Sequence, residues 1–173
     1  MSDVGSITPE AFEILVVREL RKAGIEPVQV RKQPLHRSEP GFAFDLVARL
    51  ECYGHRWRAL IECSNHPRPV SAEDVSALRD RADEAHLVST LLCTTAAYTP
   101  EAVARGDLLR VAMLRVVAAH HASTNAGWLQ PGQLPAWAPE FKLELVTQAH
   151  PGRSLGANEP ELILRELRAS DSS

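Results

Sequence analysis

The chain has 173 residues, enough for one domain on a prior of about 100–200 residues each. Hydrophobic residues make up 45% and the formal net charge is −3, so a real core is expected and a generally basic surface is excluded. Three cysteines without a CxxC pair argue against a secreted disulfide scaffold, the polar stretch Met1–Glu10 does not read as a signal peptide, and no apolar run reaches the roughly 18 residues of a membrane helix, so a cytoplasmic chain without membrane contact is expected.

Thr8-Pro9 reads as a helix start, a hydroxyl cap with proline in the first turn. Phe12, Leu15, Val16, Leu20 and Ala23 follow at helical spacing, and Gly24 ends the helix. A short strand is expected at Val28–Val30, then a loop over Arg31–Gly41. Phe42–Leu50 and Trp57–Cys63 read as two strands joined by a turn at Tyr53-Gly54. Ser71, with Asp74 at the capping-box position, opens a helix running to about Glu84. His86–Cys93 reads as a buried strand, and Thr99-Pro100 starts another helix.

Beyond Gly106 periodicity does not arbitrate: Leu108–Ala119 fits a helix, or a strand followed by a helix. Residues 123–139 carry three prolines and two tryptophans and read as an ordered loop. Phe141–Leu145 alternates like a strand, and Asn158–Arg168 like a short capped helix. The expected whole is an α/β fold, a mixed sheet of at least four strands flanked by helices. The core would span 1–122, with a carboxy-terminal extension over 123–168 and a flexible tail over 169–173.

The Tyr53-Gly54 turn carries the functional argument. If the hairpin centres there, Asp45 faces Glu62, and directly opposed residues share a face with Cβ atoms about 4.5–5.5 Å apart. Phe44, Leu46, Ala48, Leu50, Trp57, Ala59, Ile61 and Cys63 then form a wholly apolar face. Asp45, Val47, Arg49, Arg58, Leu60, Glu62 and Ser64 form the other. Two adjacent carboxylates repel unless a cation neutralises them. Mg²⁺ or Mn²⁺ suits such a pair, because Mg²⁺ takes one or two protein carboxylates and keeps waters that leave room for a phosphate. A solvated sheet face that merely carries two acids remains the alternative.

The motif order continues this reading. Phe12-Glu13 is followed by Gly41-Phe42-Ala43-Phe44-Asp45 and by Ile61-Glu62-Cys63-Ser64. Then come Pro69-Val70-Ser71, Cys93-Thr94-Thr95, and Tyr98-Thr99-Pro100-Glu101-Ala102. Over about residues 8 to 105 this order resembles the Mrr-type restriction endonuclease-like branch of the PD-(D/E)XK nucleases. The resemblance implies a restriction endonuclease-like fold, Asp45 and Glu62 as metal ligands and catalytic residues, and DNA as substrate in defence or repair. It implies a third site member, Ser64, where the family keeps a catalytic lysine. It also allows Glu13 to join the metal site from the first helix, and Lys32 to supply the displaced lysine charge.

Arg31, Lys32 and Arg37 before Asp45, and Arg68 after Glu62, are candidate phosphate contacts; ordinary solvated loop charge is the alternative. Arg58 shares the Glu62 face but lies four residues away, about 13 Å along a strand. The Cys52-x-x-His55 and Cys63-x-x-His66 pairs resemble a zinc pattern, but the hairpin separates them by roughly 23 Å. His66 could act as a base beside the pair. A homodimer or larger assembly is compatible with the resemblance. Because serine cannot supply a lysine's charge, the competing expectation is a catalytically degenerate module acting through protein interactions.

Overall fold

The computed structural model describes residues 3–35, 40–119 and 140–167. A 3₁₀ turn at Val4–Ser6 leads into α1 (Pro9–Ala23). Thr8 accepts a hydrogen bond from the Ala11 amide at its start, and Gly24 closes it with a left-handed backbone, φ 99°. Three strands follow: β1 (Glu26–Pro34), β2 (Phe42–Cys52) and β3 (His55–Asn65). Next come α2 (Ala72–Glu84), β4 (Ser89–Thr94), α3 (Pro100–Leu109), β5 (Val111–Ala118), β6 (Phe141–Val146), the two-residue β7 (Arg153–Ser154), and α4 (Glu161–Leu167).

The seven strands form one sheet in chain order, β1 to β7. β1, β2 and β3 pair antiparallel, β3–β4 and β4–β5 are parallel, and β5–β6 and β6–β7 return to antiparallel. Each parallel step is bridged by a helix, as that geometry requires: α2 joins β3 to β4 and α3 joins β4 to β5. This is the mixed α/β sheet expected, with the ambiguous Leu108–Ala119 segment resolved as the end of α3 followed by β5.

Two apolar layers sandwich the sheet. On one face Phe12, Leu15, Val16 and Leu20 of α1 pack with Phe44, Leu46, Ile61, Leu91, Leu114 and Leu143, joined by Ile163 and Leu167 of α4. On the other, Val75, Leu78 and Ala82 of α2 and Ala102 of α3 pack on Leu60, Leu92, Val111 and Met113. Phe44 and Ile61 are buried as the hairpin alternation requires, while Trp57, nearer the turn, is half-buried.

β1 departs most from expectation. It is nine residues long where three were expected, and Arg31–Pro34 is strand rather than loop. A bulge between Val28 and Arg31, where Gln29 has φ 52°, inserts one extra residue against β2. The insertion reverses the alternation: Arg31 and Gln33 pair with Val47 and Asp45, while Lys32 pairs with Leu46 on the apolar face. Pro27 and Pro34 are tolerated because β1 is an edge strand.

Residues 123–139 and the tail from 169 lie outside the described residues, as does Arg37. Among the described residues no helix is long and apolar enough to cross a membrane.

Candidate active site

The β2–β3 hairpin places Asp45 directly opposite Glu62. Both side chains rise from the face covered by α2, and both are buried, Asp45 at 4% and Glu62 at 2% relative exposure. Burying two carboxylates together is costly unless a cation or hydrogen bonds offset their repulsion and lost hydration. α2 supplies one. Arg81, in its last turn, places Nε 3.3 Å from Asp45 Oδ2, and Nη2 3.2 Å from Asp45 Oδ1 and 2.7 Å from Glu62 Oε2. Burial alone would lower the guanidinium pKa, but the hydrogen bonds to Asp45 and Glu62 outweigh it and raise the pKa above its ordinary value.

The sequence signal for Arg81 was available. Val75, Leu78 and Ala82 make the buried stripe of α2, and residue 81 flanks it, three positions after Leu78. An arginine there must lie along the sheet, and on this face the sheet offers two acids.

Two other expected members lie elsewhere. Lys32, turned by the β1 bulge, points to the α1 side, with Nζ 4.5 Å from the Phe44 ring centroid and 3.4 Å from Glu13 Oε2. Glu13 sits on α1, which packs on the opposite face of the sheet from Asp45 and Glu62. The structure thus pairs Glu13 with Lys32 and separates both from the carboxylate pair.

Ser64 is on the carboxylate face but fully buried, and its hydroxyl has no hydrogen-bond partner among the described residues. Its cross-strand neighbours are Ala43 and Thr94, so it lies within the sheet between two paired strands rather than at an open edge. His66, one step beyond the end of β3, is also buried. Arg68 binds Asp74 through both terminal nitrogens, at 2.7 and 3.0 Å, and so braces the capping box of α2.

Beside the acids runs a groove of ≈ 900 Å³, lined by Gln29, Arg31, Asp45, Arg49, Arg58 and Arg81 among others. Arg49 and Arg58 are directly opposed across the hairpin. Arg31 comes from the neighbouring strand, on the same face because of the bulge. None of the three forms an ion pair among the described residues. Like charges directly opposite are destabilising in a sheet, so a groove built this way favours an anion.

The acids fit the protein share of a Mg²⁺ shell, one or two carboxylates with water completing it. No group of three or more histidine, cysteine, aspartate or glutamate residues gathers for a metal among the described residues. Among the described residues the candidate donor set is therefore the pair, not a closed cage.

Residues 4–116 match the family model of the Mrr-type catalytic domain, described as a restriction endonuclease. The chain belongs to this restriction endonuclease family. No curated protein and no solved structure matches it. In this Mrr-type chain the matched region ends within β5, so β6 and β7 extend the sheet, and α4 the core, beyond the matched residues. The Asp45–Glu62 register expected from the Tyr53-Gly54 turn is present in the hairpin, while the contact of Arg81 with both acids comes from the structure.

Proposed function

We propose that this Mrr-type chain binds DNA along the arginine groove, and that Asp45 and Glu62 are the protein ligands of a Mg²⁺ or Mn²⁺ ion acting on a phosphodiester, in defence or repair in the cytoplasm. The observation that carries the reading is the juxtaposition of two buried, directly opposed carboxylates with a groove in which Arg31, Arg49 and Arg58 form no ion pair among the described residues. A divalent ion held there would polarise a phosphate and activate a water.

The chain's own residues do the rest. Asp45 and Glu62 are held in one orientation by the β2–β3 ladder and by the helix above them. Arg31, Arg49 and Arg58 neutralise backbone phosphates and fix the register of the duplex without reading its sequence. The formal charge of −3 confines such binding to this face.

A second reading has its own observation. Ser64 is neutral and fully buried where the family resemblance expects a lysine, and Arg81 rests on both carboxylates. Both features suit a domain that binds nucleic acid or protein and cuts slowly or not at all.

A plasmid-nicking time course with Mg²⁺ and with Mn²⁺, beside a gel-shift titration in EDTA, tests the proposal. Duplex binding that weakens in Arg49→Glu, with any cleavage lost in Asp45→Ala, is the expected result. Cleavage that survives Asp45→Ala would remove the pair from the chemistry. Absence of DNA binding would favour the protein-interaction reading.

A further inference from the structure

A single nitrogen, Arg81 Nη2, lies within hydrogen-bonding distance of both Asp45 and Glu62. An ion shared by Asp45 Oδ1 and Glu62 Oε2 would take the same position. The guanidinium side chain is 32% exposed, against 6% and 2% for the two acids, so it covers them on the groove side. An ion bridging the same oxygens would meet that guanidinium at contact distance, and the two cations would repel strongly in so buried a place. Occupancy of those oxygens by both cations at once is therefore opposed on steric and electrostatic grounds.

We infer that Arg81 is an internal counter-ion that competes with the divalent ion for Asp45 and Glu62, so that the ion binds only when the guanidinium withdraws. The inference rests on reading the pair as ion ligands. Arg81 is anchored by its stem on α2, and its flexible side chain also lines the wall of the arginine groove. Withdrawal into that groove needs no movement of the helix. It would add a fourth arginine to the groove beside Arg31, Arg49 and Arg58, with Asp45 and Glu84 the acids of its lining, which is less favourable without a further anion. In the free protein the balance therefore lies with the carboxylates, and the affinity for a divalent ion alone is low.

The test is calorimetric titration of Mn²⁺ into the full chain, without nucleic acid. Arg81→Gln removes the competing charge and should tighten Mn²⁺ by about tenfold or more, within the usual range of coupling between two ligands of one site. Asp45→Asn added to Arg81→Gln should abolish the gain. Since Arg81→Gln removes a cation from two buried acids and so threatens folding, Arg81→Lys is the second variant. Its single ammonium cannot reproduce the forked contact with both acids, and it should tighten Mn²⁺ by a smaller factor. Equal affinity in wild type and Arg81→Lys, or in wild type and a folded Arg81→Gln, would overturn the inference. So would a gain that survives Asp45→Asn. Mn²⁺ binding in no variant would overturn it together with the metal part of the proposed function. A tightened Mn²⁺ site in a chain that fails to bind DNA would count against the proposed function alone.

Discussion

Arg49 and Arg58 stand directly opposite each other on the carboxylate face of the β2–β3 hairpin. Replacing one by an acid should therefore act on stability and on binding with opposite signs. In Arg58→Glu a cross-strand ion pair with Arg49 replaces a like-charge pair, and the folded chain should gain roughly 0.2–1 kcal/mol. Binding to duplex DNA should weaken at the same time, and the slope of log affinity against log salt should flatten by about 1. Urea unfolding and filter binding at several salt concentrations read the two effects. A variant that is both less stable and equally tight on DNA would show that the pair is not poised for an anion.

Asp45, Glu62, Lys32 and Arg81 differ in how far the sequence discloses their places. Asp45 opposite Glu62 was legible because one tight turn at Tyr53-Gly54 fixes the register of eleven residue pairs. Lys32 was not, because a bulge at Gln29 reverses the alternation in β1 and nothing in the local residues marks it. Arg81 lay in between: its helix and its place beside the buried stripe were readable, but its contact with a particular strand depends on how α2 crosses the sheet. Elements set by local chemistry, such as the Ser71 cap and the Thr99-Pro100 start, matched closely. Those set by long-range pairing, such as the length of β1, did not.

Asp74 gives a prediction in pH. Its carboxylate accepts hydrogen bonds from both Arg68 terminal nitrogens and from the Ser71 amide and hydroxyl. Burial by itself would raise its pKa, but these bonds outweigh it and hold the group well below the ordinary carboxylate range. A pKa lower in the folded than in the unfolded chain means stabilisation that is complete above the unfolded value and lost as pH falls through the folded one. Asp74→Asn should be less stable than wild type at neutral pH, by on the order of 1 kcal/mol as for other capping devices. The gap should narrow progressively below about pH 4, the ordinary aspartate value. Thermal melts of both proteins across that range check it. A gap independent of pH would mean that Asp74 acts only by its shape.

The apolar face should respond as a single packed unit. Phe12 of α1 meets Phe42 and Phe44 of β2 edge to face, at 5.9 and 6.4 Å between ring centroids, and is fully buried. Phe12→Ala should cost about 3–5 kcal/mol, the usual loss for a buried aromatic. Urea unfolding with an unchanged m value would attribute the loss to the folded state. Because α1 lies on the far side of the sheet from Asp45 and Glu62, a folded Phe12→Ala chain should keep its Mn²⁺ affinity.

Ser64 joins stability to activity. Its hydroxyl is fully buried without a hydrogen-bond partner among the described residues, and a buried polar group left unsatisfied costs about 1–3 kcal/mol. Ser64→Ala removes the group with little change of shape and should raise stability by about 1 kcal/mol, at the low end of that cost because a small void remains. Restoring the family's charge is a different matter. A lysine at 64 would enter a buried position on the same face as an arginine already resting on the acids. Ser64→Lys alone should therefore destabilise the fold and leave nicking close to the wild-type level. Combined with Arg81→Gln, the lysine replaces the charge that Arg81 supplied to Asp45 and Glu62. The double variant should nick plasmid faster than either single variant, and Asp45→Ala in that background should remove the gain. Equal nicking by all three would show that positive charge at position 64 is not what limits this chain.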